Sequence, residues 1–186
     1  MMDWNKAVRR HEPVDVSEIK TSYLILELSK AVDNLDRRLS FVEKLRDFLD
    51  NLEDSELDGL TKLISSEYRK NAVYQQLKNH SNWYRIDAHI DHIYLTKTNV
   101  EENNVLKGLD PPWNLGSLVK RIGEGKTEGL GDFLGKGDLT RELPIAIYRN
   151  QSEDSKIELI DGMHRTPSLF KGNEEKYLTL YIGRND

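Results

Sequence analysis

The sequence predicts an α+β fold, and three observations carry that expectation. From Val16 to Asn82 there is no proline and a single glycine, Gly59, in a stretch with helical periodicity. From Trp83 onward the period changes to two, as in Tyr84-Arg85-Ile86-Asp87-Ala88-His89-Ile90. Glycine and proline punctuation then becomes dense, with Pro111-Pro112, glycines at 123, 125, 129, 131, 135 and 137, and Asp161-Gly162. The expected architecture is an N-terminal α-helical hairpin followed by a small mixed sheet with short helices. The expected division is 1–82 for the helical region and 83–186 for the sheet domain.

Each element has its own reason. Met1 to Asp15 is polar and mixed, and reads as a loosely held leader. Leu28, Val32, Leu35, Leu39, Val42, Leu45, Leu49 and Leu52 recur three and four apart, which describes one long amphipathic helix with Ser17 as its cap. Asp50 to Asp54 breaks it. Ser55 with Asp58 three residues on resembles a capping signal, and Leu57, Leu60, Ile64, Tyr68 and Leu77 carry a second helix to about Lys78. The stripe serves either the core or a coiled-coil dimer or partner. Beyond the first strand, Ile93 to Leu95 is extended. Asn114 to Ile122 is a short amphipathic helix. Leu143 to Arg149 and Lys156 to Ile160 form a hairpin, Thr166 to Lys171 is a short helix, and Tyr177 to Ile182 is a last strand.

Composition narrows the function classes. The 186 residues are 37% hydrophobic and 32% charged, with a net charge of −5. A nucleic-acid coat protein usually carries a basic surplus, so the charge counts against that task without excluding a local basic patch. There is no cysteine, which rules out disulfides, thiol chemistry and cysteine-ligated metal. Neither a signal peptide nor a membrane-length apolar run is seen, so the expectation is a soluble cytoplasmic protein with no membrane partner.

The most informative segment is Glu158-Leu159-Ile160-Asp161-Gly162-Met163-His164-Arg165-Thr166-Pro167. An alternating strand runs through Asp-Gly into a helix start, with Thr166 as N-cap and Pro167 in the first turn. Backbone N–H groups at such a start face outward, and the helix dipole adds positive potential. Gly162 lets an anion approach the backbone, Arg165 offers a planar fork, and His164 can donate a hydrogen bond or proton. This is an anion-binding corner with phosphate as the expected ligand; a solvated surface turn is the competing reading.

Strand, helix, hairpin, Asp-Gly-x-His-Arg, short helix, strand: the order from Tyr84 to Arg184 resembles the ParB-like nuclease and sulfiredoxin superfamily. Its specific part is Glu142 to Arg165, where Leu143-Pro144-Ile145-Ala146-Ile147 looks like the family's Pro-led strand and Glu158 to Arg165 like its phosphate-binding signature. The resemblance implies a nucleotide- or phosphate-binding protein, with a nucleoside triphosphate or diphosphate and Mg²⁺ as cofactors. Asp161, Gly162, Met163, His164, Arg165 and Thr166 become the binding residues, and His164, Arg165 and an acidic residue the catalytic ones. Glu102 is the candidate acid, with Glu101 beside it. The implied activity is phosphotransfer, or phosphodiester hydrolysis as in a nuclease.

Two departures matter. Sulfiredoxins carry cysteine where Met163 stands, so their peroxide-repair chemistry is not expected. Partition proteins continue into a helix-turn-helix domain, whereas this chain ends at Asp186, so sequence-specific partition binding is not expected either. The alternative function is a non-enzymatic, DNA-associated or regulatory protein that forms a homodimer or docks a partner through its helices.

Two other constellations are weaker. Gly123-Glu124-Gly125-Lys126-Thr127 looks like a P-loop tail, but Lys120 stands where the first glycine belongs and a helix precedes it. The glycine-rich stretch 123–137 is expected as loop or short helix. His89 and His92 with Asp87 and Asp91 suggest metal, but in a strand His92 points away from the others, so one site using both histidines needs a bend. The metal ligands are left unknown. Trp113 beside Pro111-Pro112 can stack on a base or pack on proline.

Overall fold

The computed structural model describes residues 4–32, 35–67, 71–95, 113–124, 142–151, 154–162 and 176–185. Among them, six strands form one sheet: β1 (Val8–Pro13), β2 (Asn82–His89), β3 (Ile93–Leu95), β4 (Ile145–Gln151), β5 (Asp154–Asp161) and β6 (Tyr177–Arg184). Their order is β1-β2-β6-β4-β5-β3. The β1–β2, β2–β6 and β4–β5 pairs are antiparallel, while β6–β4 and β5–β3 are parallel. This is the α+β architecture with a mixed sheet that the sequence predicts.

The first correction concerns residues 1–15. Trp4–Ala7 is a short helix, α1, and Val8–Pro13 is an edge strand, so this segment belongs to the sheet and is no loose leader. Only Val8 of β1 is buried. An edge strand needs little apolar sequence, and its exposed Arg9, Arg10 and Glu12 together with Pro13 suit a solvent-facing edge. That is why its composition resembled a tail.

The second correction concerns the hairpin. Four helices replace two: α2 (Val16–Ser29), α3 (Leu35–Leu49), α4 (Asp54–Glu67) and α5 (Asn71–Asn79). Asp15 caps α2 by accepting the Ser17 backbone N–H at 2.9 Å, so Ser17 lies inside the helix. After Ser29 the backbone tightens, with Ala31 and Val32 donating to the carbonyls three residues back. The Arg38 Nε then donates to the Val32 carbonyl at 2.7 Å. The Leu28-to-Leu52 stripe keeps its phase across this break, so a period alone could not reveal it. At α4, the Glu53 N–H donates to the Glu56 carboxylate at 3.0 Å, and the capping pair is Glu53–Glu56. Asp58 does different work: it accepts from Lys20 Nζ at 2.7 Å and Tyr74 Oη at 2.9 Å, tying α4 to α2 and α5.

The Lys20 ammonium, followed by the Tyr74 hydroxyl, holds the Asp58 carboxyl below the usual carboxylate range. A folded-state value below the unfolded one means the unfolded chain binds more protons in acid. The contribution of Asp58 is therefore present above about pH 4 and lost as pH falls through its folded value. Asp58→Asn should flatten the fall in urea stability between about pH 5 and pH 2, by a modest amount because the carboxylate is partly exposed.

The core lies on both faces of the sheet. On one face Ile86, Leu180, Ile182 and Ile157 pack with Ala7, Leu115 and Leu118, the last two from α6 (Leu115–Gly123). On the other, Trp83, Ile145 and Tyr181 pack with Ile19, Tyr23 and Leu49. The second core and the β1–β2 ladder both span the 82/83 position, so helices and sheet are packed as adjoining layers. The central helix α2 is buried nearly all round, with Thr21, Ser22, Glu27 and Ser29 buried beside its apolar residues.

The rest of the sheet follows its sequence signals. The hairpin of β4 and β5 stands where alternation placed it, and there is no helix across those residues. Asn114 caps α6 by accepting the Ser117 N–H at 2.8 Å.

Candidate functional site

The predicted corner begins at the end of β5. Ile145 pairs with Asp161 and Ala146 with Leu159, so Ile160 is an extra residue on β5 and forms a bulge. Bulges twist a strand and re-aim the residues that follow. Gly162 comes next, buried, with φ of 96°, a left-handed conformation that side chains rarely adopt. Asp161 is buried as well, at 8% exposure. The Asp-Gly step thus turns the chain at the end of a bulged strand. Met163, His164, Arg165, Thr166, Glu101 and Glu102 lie outside the described residues, as does the helix expected at Thr166 to Lys171.

Topology concentrates connections at this end of the sheet. Because β3 runs parallel to β5, Leu95 and Asp161 end on the same side. Because β4 is antiparallel to β5, and β6 parallel to β4, both start there. The chain therefore leaves the described structure at Leu95 and Gly162, and returns at Trp113 and Lys176, at one sheet end. Trp113 is fixed there by its carbonyl, which accepts the Leu95 N–H at 2.8 Å, and it is packed against the core. Leu95 and Trp113, the described residues on either side of 96–112, both sit at this sheet end.

Sequence reasoning missed a buried carboxylate at the same end. Glu142 precedes β4 and is 8% exposed. The Ser22 hydroxyl of α2 donates to its Oε2, and the Arg46 guanidinium of α3 donates to its Oε1. Three residues on, Ile145 faces Asp161 across the ladder. The Pro144 carbonyl accepts the Tyr181 N–H at 2.9 Å. Glu142 thereby ties the helical layer to the strand beside the corner. No sequence signal separated it from the chain's many surface carboxylates, because burial by α2 and α3 is a tertiary property.

A second network lies on the helix-facing side. Tyr181 Oη donates to Glu18 Oε1 at 2.7 Å, and Arg85 pairs with the same carboxylate. Burial, then the bond to Glu18, pushes the Tyr181 hydroxyl well above its usual range, so it stays protonated as a donor.

The 3-10 turn Ile90–His92 supplies the bend that two histidines in one site would need. The His89 and His92 rings lie 5.9 Å apart between centroids, and His89 Nδ1 accepts the Asp91 N–H at 3.3 Å. His89 also meets the Tyr177 ring edge-on at 5.1 Å, over which Arg9 stacks at 3.6 Å. Among the described residues, no group of three or more His, Cys, Asp or Glu is placed to hold a metal ion. Asp87 instead accepts from Thr179 Oγ1 at 2.7 Å. Of the P-loop-like stretch, Gly123 is the last residue of α6, and 125–137 lie outside the described residues.

Among the described residues, no helix is long and apolar enough to cross a membrane. No family model, curated protein or solved structure matches the chain.

Proposed function

We propose that the chain binds a nucleoside di- or triphosphate at the Asp161-to-Thr166 corner and uses it in phosphoryl transfer or phosphodiester hydrolysis. The observation that carries this reading is the positive-φ Gly162 directly after the bulged end of β5. It supports a sharp turn at the strand end, from which the residues that follow meet an anion. The strand alternation and the Asp-Gly-x-His-Arg pattern add the charged groups. Gly162, His164 and Arg165 contact phosphate oxygens in this reading, with Asp161, Met163 and Thr166 as the further binding residues.

In transfer, the acceptor oxygen bonds to the terminal phosphorus while the bond to the bridging oxygen breaks. The acceptor proton passes to a carboxylate, for which Glu102 is the candidate. His164 and Arg165 meet the charge that develops on the phosphoryl oxygens. Mg²⁺ bound with nucleotide needs only one or two protein carboxylates, and Asp161 and the Glu101-Glu102 pair are of the right chemistry.

The test incubates the protein with each nucleoside triphosphate and Mg²⁺, with serine and other small acceptors, and separately with oligonucleotides. Turnover that His164→Ala and Arg165→Ala abolish is the expected result. No turnover of any nucleotide or nucleic acid defeats the enzymatic reading. Binding without turnover then supports the second reading, a regulator that holds nucleotide or DNA backbone at the corner. The exposed apolar residues of α3 and α4 favour that reading.

A further inference from the structure

The residues of the Leu28-to-Leu52 stripe that the sequence offers for dimerisation are partly consumed by the protomer: Val42 and Leu49 are buried in its own core. A different set faces solvent. Phe48 and Leu63 are each 57% exposed, and Phe41 is 36% exposed. On α3, Phe41, Lys44 and Phe48 follow one another three and four residues apart and share a stripe, with Arg37 one turn before. On α4, Glu56, Gly59 and Leu63 do the same, on the side opposite buried Leu57, Thr61 and Ser65.

Gly59 is the second clue. A Cβ built on it meets nothing within 4 Å, and its backbone is not in the left-handed region. Nothing around it in the described protomer requires glycine in mid-helix, where glycine costs stability relative to alanine. Beside an exposed leucine four residues on, it leaves a notch into which a facing ring fits.

We infer that these two stripes are the two halves of a self-association surface. The α3 stripe of one copy seats on the α4 stripe of a second copy, with a Phe41 or Phe48 ring over Gly59 and Lys44 facing Glu56. A second copy is the occupant because the two stripes complement each other, one cationic and aromatic, the other acidic and notched. In a chain of net charge −5, such local pairing also offsets long-range self-repulsion.

Sedimentation velocity on the full chain, from about 1 to about 300 μM, tests this. Wild type should shift from monomer to dimer with concentration. Phe48→Asp and Leu63→Asp should each weaken the dimer at least about tenfold while the far-UV spectrum and melting temperature at low concentration hold, because both side chains are exposed. Gly59→Gln should weaken it comparably without lowering the monomer's melting temperature. Lys44→Gln and Glu56→Gln should each weaken association, Glu56→Gln keeping an acceptor for the Glu53 N–H, and the double variant should lose little more than either single one. A wild-type chain that stays monomeric throughout overturns the inference and leaves the face to another protein. So does a dimer that survives Phe48→Asp and Leu63→Asp together, or losses from Lys44→Gln and Glu56→Gln that simply add in the double variant.

Discussion

Trp83→Ala should destabilise the fold by about 3–5 kcal/mol, the range for deleting a large buried aromatic. Trp83 is 3% exposed and joins the helical layer to the sheet, packing in one cluster with Ile145, Tyr181 and the residues of α2. Its Nε1–H donates to the His80 carbonyl at 3.1 Å. Gly183 on β6 lies under the ring, and a Cβ there would come within 2.9 Å of it, so the neighbouring strand has little room to adjust. Trp83→Phe keeps a ring and loses the N–H bond, and should cost clearly less than the alanine variant. Urea unfolding followed by circular dichroism and by the fluorescence of Trp4 and Trp113 checks both. Coincident transitions and the large loss are expected. Separate transitions, or a loss below about 1 kcal/mol, would show that helices and sheet do not share this core.

Much of this architecture was legible because it repeats. Alternation in Tyr84 to His89, the β4–β5 hairpin and the last strand each span enough residues for a period to show. The apolar spacing of Leu115, Leu118, Val119 and Ile122 likewise marked α6. What escaped was set by position in the tertiary structure. β1 looked like a tail because an edge strand exposes Arg9, Arg10 and Glu12. The break between α2 and α3 carries neither glycine nor proline, and the apolar spacing of the sequence runs on through it. Glu142 gave no sign of burial, since the groups that enclose it, Ser22 and Arg46, are far away in sequence. At the candidate site, Asp-Gly marked the turn at Gly162, whereas the bulge at Ile160 depends on pairing with Ile145 and could not be read from one strand.

Arg165→Ala should weaken binding of a phosphate ligand by about 1.5–3 kcal/mol, roughly tenfold to 150-fold, the range for hydrogen bonds to charged groups. Arg165→Lys restores charge but not the bidentate fork, so recovery should be partial. Gly162→Ala should also weaken binding, although it removes no polar group, because φ of 96° resists a side chain. Affinities for this variant are to be read well below its melting temperature. His164→Ala should lower kcat more than it raises KM if His164 acts on charge that develops in the transition state. Equal losses would make it a contact only.

The measurement that tests the central claim most directly is a thermal-shift series with each nucleoside di- and triphosphate and Mg²⁺, on wild type and Arg165→Ala. A ligand at a hundred times its Kd should stabilise wild type by about 2.7 kcal/mol, raising its melting temperature measurably. The same concentration should shift Arg165→Ala far less. If no nucleotide shifts wild type, or if both proteins respond alike, the Asp-Gly-x-His-Arg corner is a structural turn and does not bind nucleotide.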